Sequence, residues 1–231
     1  MLSRRRPIPE AAKRKIADPA AHAELLEPGP WETAAECRTW EPWAARYTTL
    51  DFREVDGVRY YNNCGPTAVT NLVLMGRRRF LGPGATSQTA RSIYNRTARY
   101  GTGHLFFINS DHRLFHGTSD LRAGSFLRRM TRRLLGLRLR LRFHLARWRP
   151  IRRALDRGAL VYLMLWNHPA YHSHHLLCYG YRLLRNARTG EERPYLLVAD
   201  GHTGAPRYLD LGTVRGACWE VRFPEAEAEQ A

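Results

Sequence analysis

The sequence contains no run of about eighteen uncharged apolar residues, the length that a helix needs to cross a bilayer. The segment from Met1 to Ala20 starts with the charge of a secretory signal peptide but lacks the apolar region that should follow. We therefore expect no membrane insertion and a cytoplasmic location. Toxins and effectors that leave the cell by specialised routes stay open as an alternative, because such routes need no apolar signal.

Cysteine is also scarce, and the four thiols are spread too widely for a CxxC metal knuckle or a disulfide scaffold. We expect free thiols. Four histidines cluster between positions 168 and 175, but they fall across a loop and a strand without the spacing of a zinc site. The sequence therefore predicts no metal and no cofactor.

Lysine is almost absent, since only Lys13 and Lys15 accompany the many arginines. The net charge of +16 is typical of proteins that bind nucleic acid or anionic surfaces. A GC-rich genome can produce the same arginine bias without any selection for binding. Weak nonspecific binding of nucleic acid through the Arg-rich segment from Arg122 to Arg153 is therefore one hypothesis, and a solvated basic surface is the other.

The chain is long enough for one domain with a core of its own. We expect a flexible basic arm over residues 1–30, the domain over 31–224 and an acidic tail over 225–231. The aromatic residues between Trp31 and Tyr47 indicate a short helix or an irregular segment that packs on the domain.

Helix signals dominate the first half of the domain. Pro66 favours a helix start that places Cys64 at or just before the first turn. Further helices are predicted over Ser87–Arg99, from Ser119 and Asp120 to about Leu135, and over Ile151–Leu155.

Strand signals dominate the second half. Leucines alternate with arginines from Leu137 to Phe143, which predicts a strand with its arginines in water. Further strands are predicted at Leu160–Trp166, His174–Tyr181, Tyr195–Ala199, Arg207–Leu211 and Cys218–Phe223. Three helices followed by sequential strands predict an α+β fold with a mainly antiparallel sheet.

Cys64 is the candidate nucleophile, because the unpaired N–H groups of a helix start lower the pKa of a thiol there. A thiol nucleophile also needs an imidazole to accept its proton and a group that orients the imidazole. The second half of the chain offers both.

Three segments resemble the C39-like branch of the papain-like cysteine peptidases: Asn63 to Ala68, His174 to Tyr181 and Leu196 to Gly201. The resemblance implies a papain-like fold in which the nucleophile helix packs on the sheet. It also implies Cys64 as nucleophile, His174 as base and Asp200 as the residue that orients the imidazole. His175 stays open as the base, since adjacent strand residues point to opposite faces and bulges can change which face.

The family usually carries a glutamine about six residues before the cysteine as an oxyanion donor, whereas this chain has Val58 there. Asn62 or Asn63 could supply the donor instead. We therefore expect a thiol-dependent hydrolase of peptide or isopeptide bonds, or a related acyl-transfer enzyme that uses the same residues. The alternative is a weak or inactive papain-like fold that binds nucleic acid or an acidic protein.

Overall fold

The structure, a computed structural model, describes residues 30–40, 47–55, 58–59, 62–81, 87–101, 104–108 and 114–224. The predicted arm up to residue 29 and the predicted tail over 225–231 lie outside the described residues. The proposed domain boundaries therefore stay predictions.

A seven-stranded sheet forms the centre of the molecule. Its strands are β1 (Trp31–Arg38), β6 (Arg140–Leu145), β7 (Leu160–His168), β8 (His172–Asn186), β9 (Glu192–Ala199), β10 (Arg207–Asp210) and β11 (Gly216–Arg222). The order is β10-β9-β8-β7-β11-β6, and every pair is antiparallel. Strand β8 is long enough to pair with β7 through residues 172–178 and with β1 through residues 180–186.

Four helices lie in the described part of the chain: α1 (Cys64–Leu81), α2 (Ser87–Gly101), α3 (Asp120–Leu135) and α4 (Trp148–Asp156). Buried residues of α1, α2 and α3 pack with one face of the sheet, including Tyr162, Leu177 and Tyr179. Buried residues of α4 pack with the other face, including Leu163 and Cys178. The described chain thus forms three layers, with the sheet between α1–α3 and α4.

Two small antiparallel hairpins precede α1 and α3: β2 (Glu54–Val55) with β3 (Val58–Arg59), and β4 (His104–Ile108) with β5 (Leu114–Gly117). Neither hairpin is predicted from the sequence. Strands this short show little periodicity in the sequence, and their pairing depends on contacts with the rest of the protein.

The predicted α+β class with a mainly antiparallel sheet is confirmed. The third helix begins at Asp120 and ends before Gly136, whose φ of 72° provides the left-handed C-cap. One expectation was wrong: the segment that starts at Trp31 is a strand, not a helix or an irregular segment, so a strand of the sheet precedes the helices. Alternation of Trp31, Ala35 and Cys37 with charged residues suits an edge position beside β8.

The arginine-rich strand is confirmed, although it starts at Arg140 rather than at Leu137. Arg140 and Arg142 are exposed on the α4 side of the sheet, while Leu141 and Phe143 lie on the α3 side. Phe143 is still 52% exposed and contacts the ring of Trp219 edge-on.

Within the described residues, no helix has both the length and the apolar character to cross a membrane. All four cysteines carry free thiols, as predicted. The cytoplasmic location stays a prediction.

Candidate functional site

Cys64 is the first residue of α1, as the sequence predicted. The carbonyl oxygen of Asn63 accepts the N–H of Thr67 at 2.9 Å, which starts the helix directly at the cysteine. Gly65 lies so close to Thr118 that a Cβ at this position would overlap the threonine side chain. The helix start is therefore held tightly against the segment that leads into α3.

His175 lies on the face of β8 that α1 covers, together with Leu177 and Tyr179. Its Nε2 is 3.1 Å from the carbonyl oxygen of Thr118 and 3.3 Å from Oδ1 of Asp120. Both partners are acceptors, so Nε2 carries the hydrogen of the neutral ring. Nδ1 then accepts the hydroxyl hydrogen of Tyr162 at 3.0 Å.

The surroundings keep the His175 ring neutral. Burial lowers its pKa, while the carboxylate of Asp120 and the carbonyl of Thr118 act in the opposite direction. Asp120 is itself fixed, because the indole N–H of Trp166 donates to its Oδ2 at 2.6 Å. The Tyr162 hydroxyl and the Thr118 carbonyl thus hydrogen-bond the two ring nitrogens of His175, and the Asp120 carboxylate lies beside Nε2 near the start of α1.

Cys64 belongs to the same cluster. The backbone N–H groups of His175, Gly65 and Cys64 itself point at the sulfur and lower the pKa of the thiol, but burial outweighs them and raises it. The prediction that the helix start lowers the pKa of the Cys64 thiol is therefore wrong, and the thiol is protonated at neutral pH. Burial raises the pKa of Tyr162, and the negative charge of a Cys64 thiolate would raise it further, so the phenol lies near the sulfur.

His174 occupies the other face of β8, with Leu176 and Cys178 on the α4 side. Its Nε2 bonds the backbone carbonyl of Asp200 at 2.6 Å, and its ring packs against those of Tyr171 and His202. Burial is the main cause that lowers its pKa to about 3. The structure therefore places the ring of His175, and not that of His174, on the side of Cys64.

The Asp200 carboxylate has backbone and tyrosine partners at the end of β9. It accepts the backbone N–H groups of His202 and Thr203 at 2.8 and 2.9 Å, and the Tyr171 hydroxyl at 3.0 Å. Its backbone oxygen, in turn, contacts Nε2 of His174. These contacts fix the turn after β9.

The two asparagines before Cys64 differ in their exposure. Asn63 is 6% exposed, and its amide donates to the carbonyl oxygens of Thr49 at 3.0 Å and Phe52 at 3.5 Å. Asn62 is exposed and adopts a left-handed φ of 54°. Of the two predicted oxyanion donors, Asn62 is thus the one at the surface of the site.

The histidines near β7 and β8 do not converge on a common point. Nε2 of His168 contacts the Thr213 hydroxyl at 2.9 Å, and its Nδ1 accepts the backbone N–H groups of Ala170 and Tyr171. Among the described residues, no group of three or more histidine, cysteine, aspartate or glutamate side chains is arranged to hold a metal.

Asp120, Tyr162 and Thr118 were not predicted as site residues. Asp120 carried one usable signal, since it is the only acidic residue of an otherwise arginine-rich helix. Tyr162 sits in an unbroken apolar strand and Thr118 in a short connection, and neither carries a signal of its own.

Comparisons with protein-family models, curated proteins and solved structures found no match to this chain.

Proposed function

We propose that this protein is a thiol-dependent hydrolase of papain-like architecture that cleaves peptide or isopeptide bonds, with Cys64 as nucleophile and His175 as base. One observation carries the proposal. The Cys64 sulfur at the start of α1 meets the backbone N–H of His175 on the facing strand, and Nε2 of that same histidine hydrogen-bonds the Thr118 carbonyl and lies 3.3 Å from Oδ1 of Asp120. A nucleophile, a base and an orienting carboxylate are the parts such an enzyme requires.

Both reacting groups are neutral at rest, since burial raises the pKa of Cys64 and lowers that of His175. The proposed chemistry is therefore general-base catalysis, not a preformed ion pair. Nδ1 of His175 takes the Sγ proton as the sulfur attacks the carbonyl carbon. The imidazolium returns that proton to the leaving amine, and water then hydrolyses the thioester with the same nitrogen as base.

Asp120 takes the orienting role in this scheme, because its carboxylate faces the protonated Nε2 while Nδ1 remains the basic nitrogen. Asn62 is the side chain proposed to support the oxyanion. The Tyr162 hydroxyl occupies Nδ1 in the resting structure, so it must leave that nitrogen before the nitrogen can accept the thiol proton.

The pairing implied by the family resemblance, Cys64 with His174 and Asp200, is the competing assignment. It would require the His174 ring to leave the Asp200 carbonyl and pass to the α1 side of β8. The His175 assignment needs only a local exchange of hydrogen bonds at Nδ1, which is why we prefer it.

A second candidate function is an inactive fold that serves as a basic binding module. The bond between Tyr162 and Nδ1 favours it, because a blocked base and a protonated thiol describe an unreactive site. The two candidates differ in whether Cys64 is chemically required.

Incubation of the protein with a peptide library from a digested proteome, followed by mass spectrometry of new amino termini, tests for hydrolysis. The proposal expects new termini with the wild-type protein and none with Cys64→Ala. Cys37→Ala is the matched control, since Cys37 is a half-buried thiol on β1, outside the cluster around His175. Equal sets of termini from wild type and Cys64→Ala, or none from either, would reject hydrolysis and leave the binding module.

A further inference from the structure

The positive charge of this protein is concentrated in one layer. Helices α1, α2 and α3 carry eleven arginines, no lysine and a single carboxylate, that of Asp120. Their 49 residues therefore hold ten of the sixteen net positive charges of the chain. A genome-wide arginine bias alone would not exclude carboxylates from these helices.

Eight of these arginines are exposed on α2 and α3, and we call them the basic helical surface: Arg91, Arg96, Arg99, Arg122, Arg128, Arg129, Arg132 and Arg133. Among the residues that the structure describes, none of the eight forms an ion pair with a carboxylate. Arginines elsewhere do form such pairs, for example Arg185 with Glu192 at 2.7 Å and Arg222 with Glu220 at 2.5 Å. The basic helical surface thus has unneutralised charge.

The two helices form one continuous surface. The ring of Tyr100 at the end of α2 lies under the guanidinium groups of Arg129 and Arg133 of α3, at 5.4 and 5.0 Å. Arg133 also hydrogen-bonds the Tyr100 hydroxyl. Arg129 and Arg133 lie one helical turn apart, about 6 Å, and Arg96 precedes Tyr100 by one turn on α2.

We propose that the basic helical surface binds the sugar-phosphate backbone of nucleic acid without sequence preference. Guanidinium groups pair well with phosphate oxygens, and release of counterions from the polyanion drives the association. The charge of this surface has one sign, and the large apolar side chain exposed on the described parts of α2 and α3 is Leu121 at the start of α3; such a surface fits a partner whose charges repeat along its length. An acidic protein would normally also need apolar anchors at the contact.

A membrane fits this surface less well. A helix that lies in the lipid interface inserts an apolar side, whereas the apolar side of α3, including Phe126, Leu127 and Met130, is buried against the rest of the protein.

The location differs from the continuous segment between Arg122 and Arg153 that the sequence suggested. The sheet divides that segment, because α3 lies on one face and α4 on the other. The fold instead joins α3 to Arg91, Arg96 and Arg99 of α2. On the α4 side the arginines share their surface with Asp156 and Glu220.

Fluorescence anisotropy with a labelled 20-base-pair duplex DNA of arbitrary sequence, measured from 50 to 200 mM salt, tests the proposal. The surface variant replaces Arg96, Arg99, Arg128 and Arg132 by glutamine. The matched control replaces the exposed Arg140, Arg142, Arg149 and Arg153 by glutamine, so both variants lose the same charge.

We expect the surface variant to bind at least tenfold more weakly at 50 mM salt, and the slope of log K against log salt to become shallower by about 3.6, since each of the four lost contacts contributes about 0.9. The control should change less than threefold. An Arg→Lys version of the surface variant should keep the slope, and Arg128→Gln/Arg132→Gln serves if the fourfold variant does not fold. Cys64→Ala should bind DNA like wild type, which separates this proposal from the hydrolase.

Three results would overturn the proposal. They are an equal loss of DNA affinity in the surface variant and the matched control, competition by polyglutamate as strong as that by DNA at matched charge, and binding to phosphatidylserine vesicles without binding to DNA. The first would indicate only the effect of net charge. The second would indicate an acidic protein as partner, and the third a membrane surface.

Discussion

Replacement of Gly65 by alanine should force α1 away from the segment that carries Thr118. The added Cβ would overlap the hydroxyl and Cβ of Thr118, which is 4% exposed and cannot turn into solvent. Thr118 also donates its hydroxyl hydrogen to the Gly101 carbonyl at 2.6 Å, and its own carbonyl accepts Nε2–H of His175. One methyl group therefore disturbs both the packing of α1 and the candidate site.

Overpacking of a core costs about 1–3 kcal/mol, and loss of a buried hydrogen bond costs about 1 kcal/mol more. We expect Gly65→Ala to lower the free energy of unfolding by about 2–4 kcal/mol. For a domain of this size, that corresponds to a fall in Tm of about 5–15 °C.

Thermal and urea unfolding followed by circular dichroism measure the change, and Thr118→Gly provides the partner in a double-mutant cycle. Gly65→Ala/Thr118→Gly exchanges the small residue between the two positions and should be more stable than the sum of the single changes predicts, by about 1 kcal/mol or more. An unchanged Tm in Gly65→Ala, or strict additivity in the cycle, would refute the proposed contact.

Three further predictions concern the sheet and its loops. His174 has a folded pKa of about 3, below its unfolded value of 6.5, so its contribution to stability is complete above pH 6.5 and declines as the pH falls toward 3. The free energy of unfolding in urea should be about 2 kcal/mol lower at pH 5 than at pH 7 from this group alone. The difference should shrink in His174→Gln, and an identical difference in that variant would show that other groups cause the pH dependence. Asp200→Ala should lower the free energy of unfolding by about 2–4 kcal/mol, because several buried donors lose their acceptor. Asp200→Asn should retain most of the stability and keep any acyl-transfer rate within threefold of wild type. A hundredfold loss of rate in a folded Asp200→Asn variant would instead indicate a catalytic role for the carboxylate. Gly180→Ala would place a Cβ against the Cys37 carbonyl, so it should separate β1 from β8. Cys37 should then react with an alkylating reagent under native conditions. A Cys37 that stays protected in this variant would contradict the pairing of the two strands.

Much of the fold could be read from local signals. The Pro66 start, the Asp120 start and the Gly136 stop have short-range physical causes, and the structure reproduces all three. The strand at Trp31 was missed although its side chains alternate, because its partner, the second half of β8, lies about 150 residues away in sequence.

The sequence alone could not show which of His174 and His175 faces Cys64. Alternation along β8 requires the two rings to face opposite sides, but Leu176, Leu177, Cys178 and Tyr179 are all buried, so no polar face marks the solvent side. Which face meets α1 depends on packing between distant layers. The position of Asp120 beside His175 depends on the same packing.

Acylation of Cys64 by p-nitrophenyl acetate at pH 7, followed by p-nitrophenol release and by mass mapping of the acetylated cysteine, tests the proposed pair most directly. Pairing of Cys64 with His175 predicts acetylation at Cys64 that slows about a hundredfold or more in His175→Gln, the scale of a lost general base, and stays within threefold in His174→Gln. A large loss in His174→Gln with little change in His175→Gln would contradict that pairing.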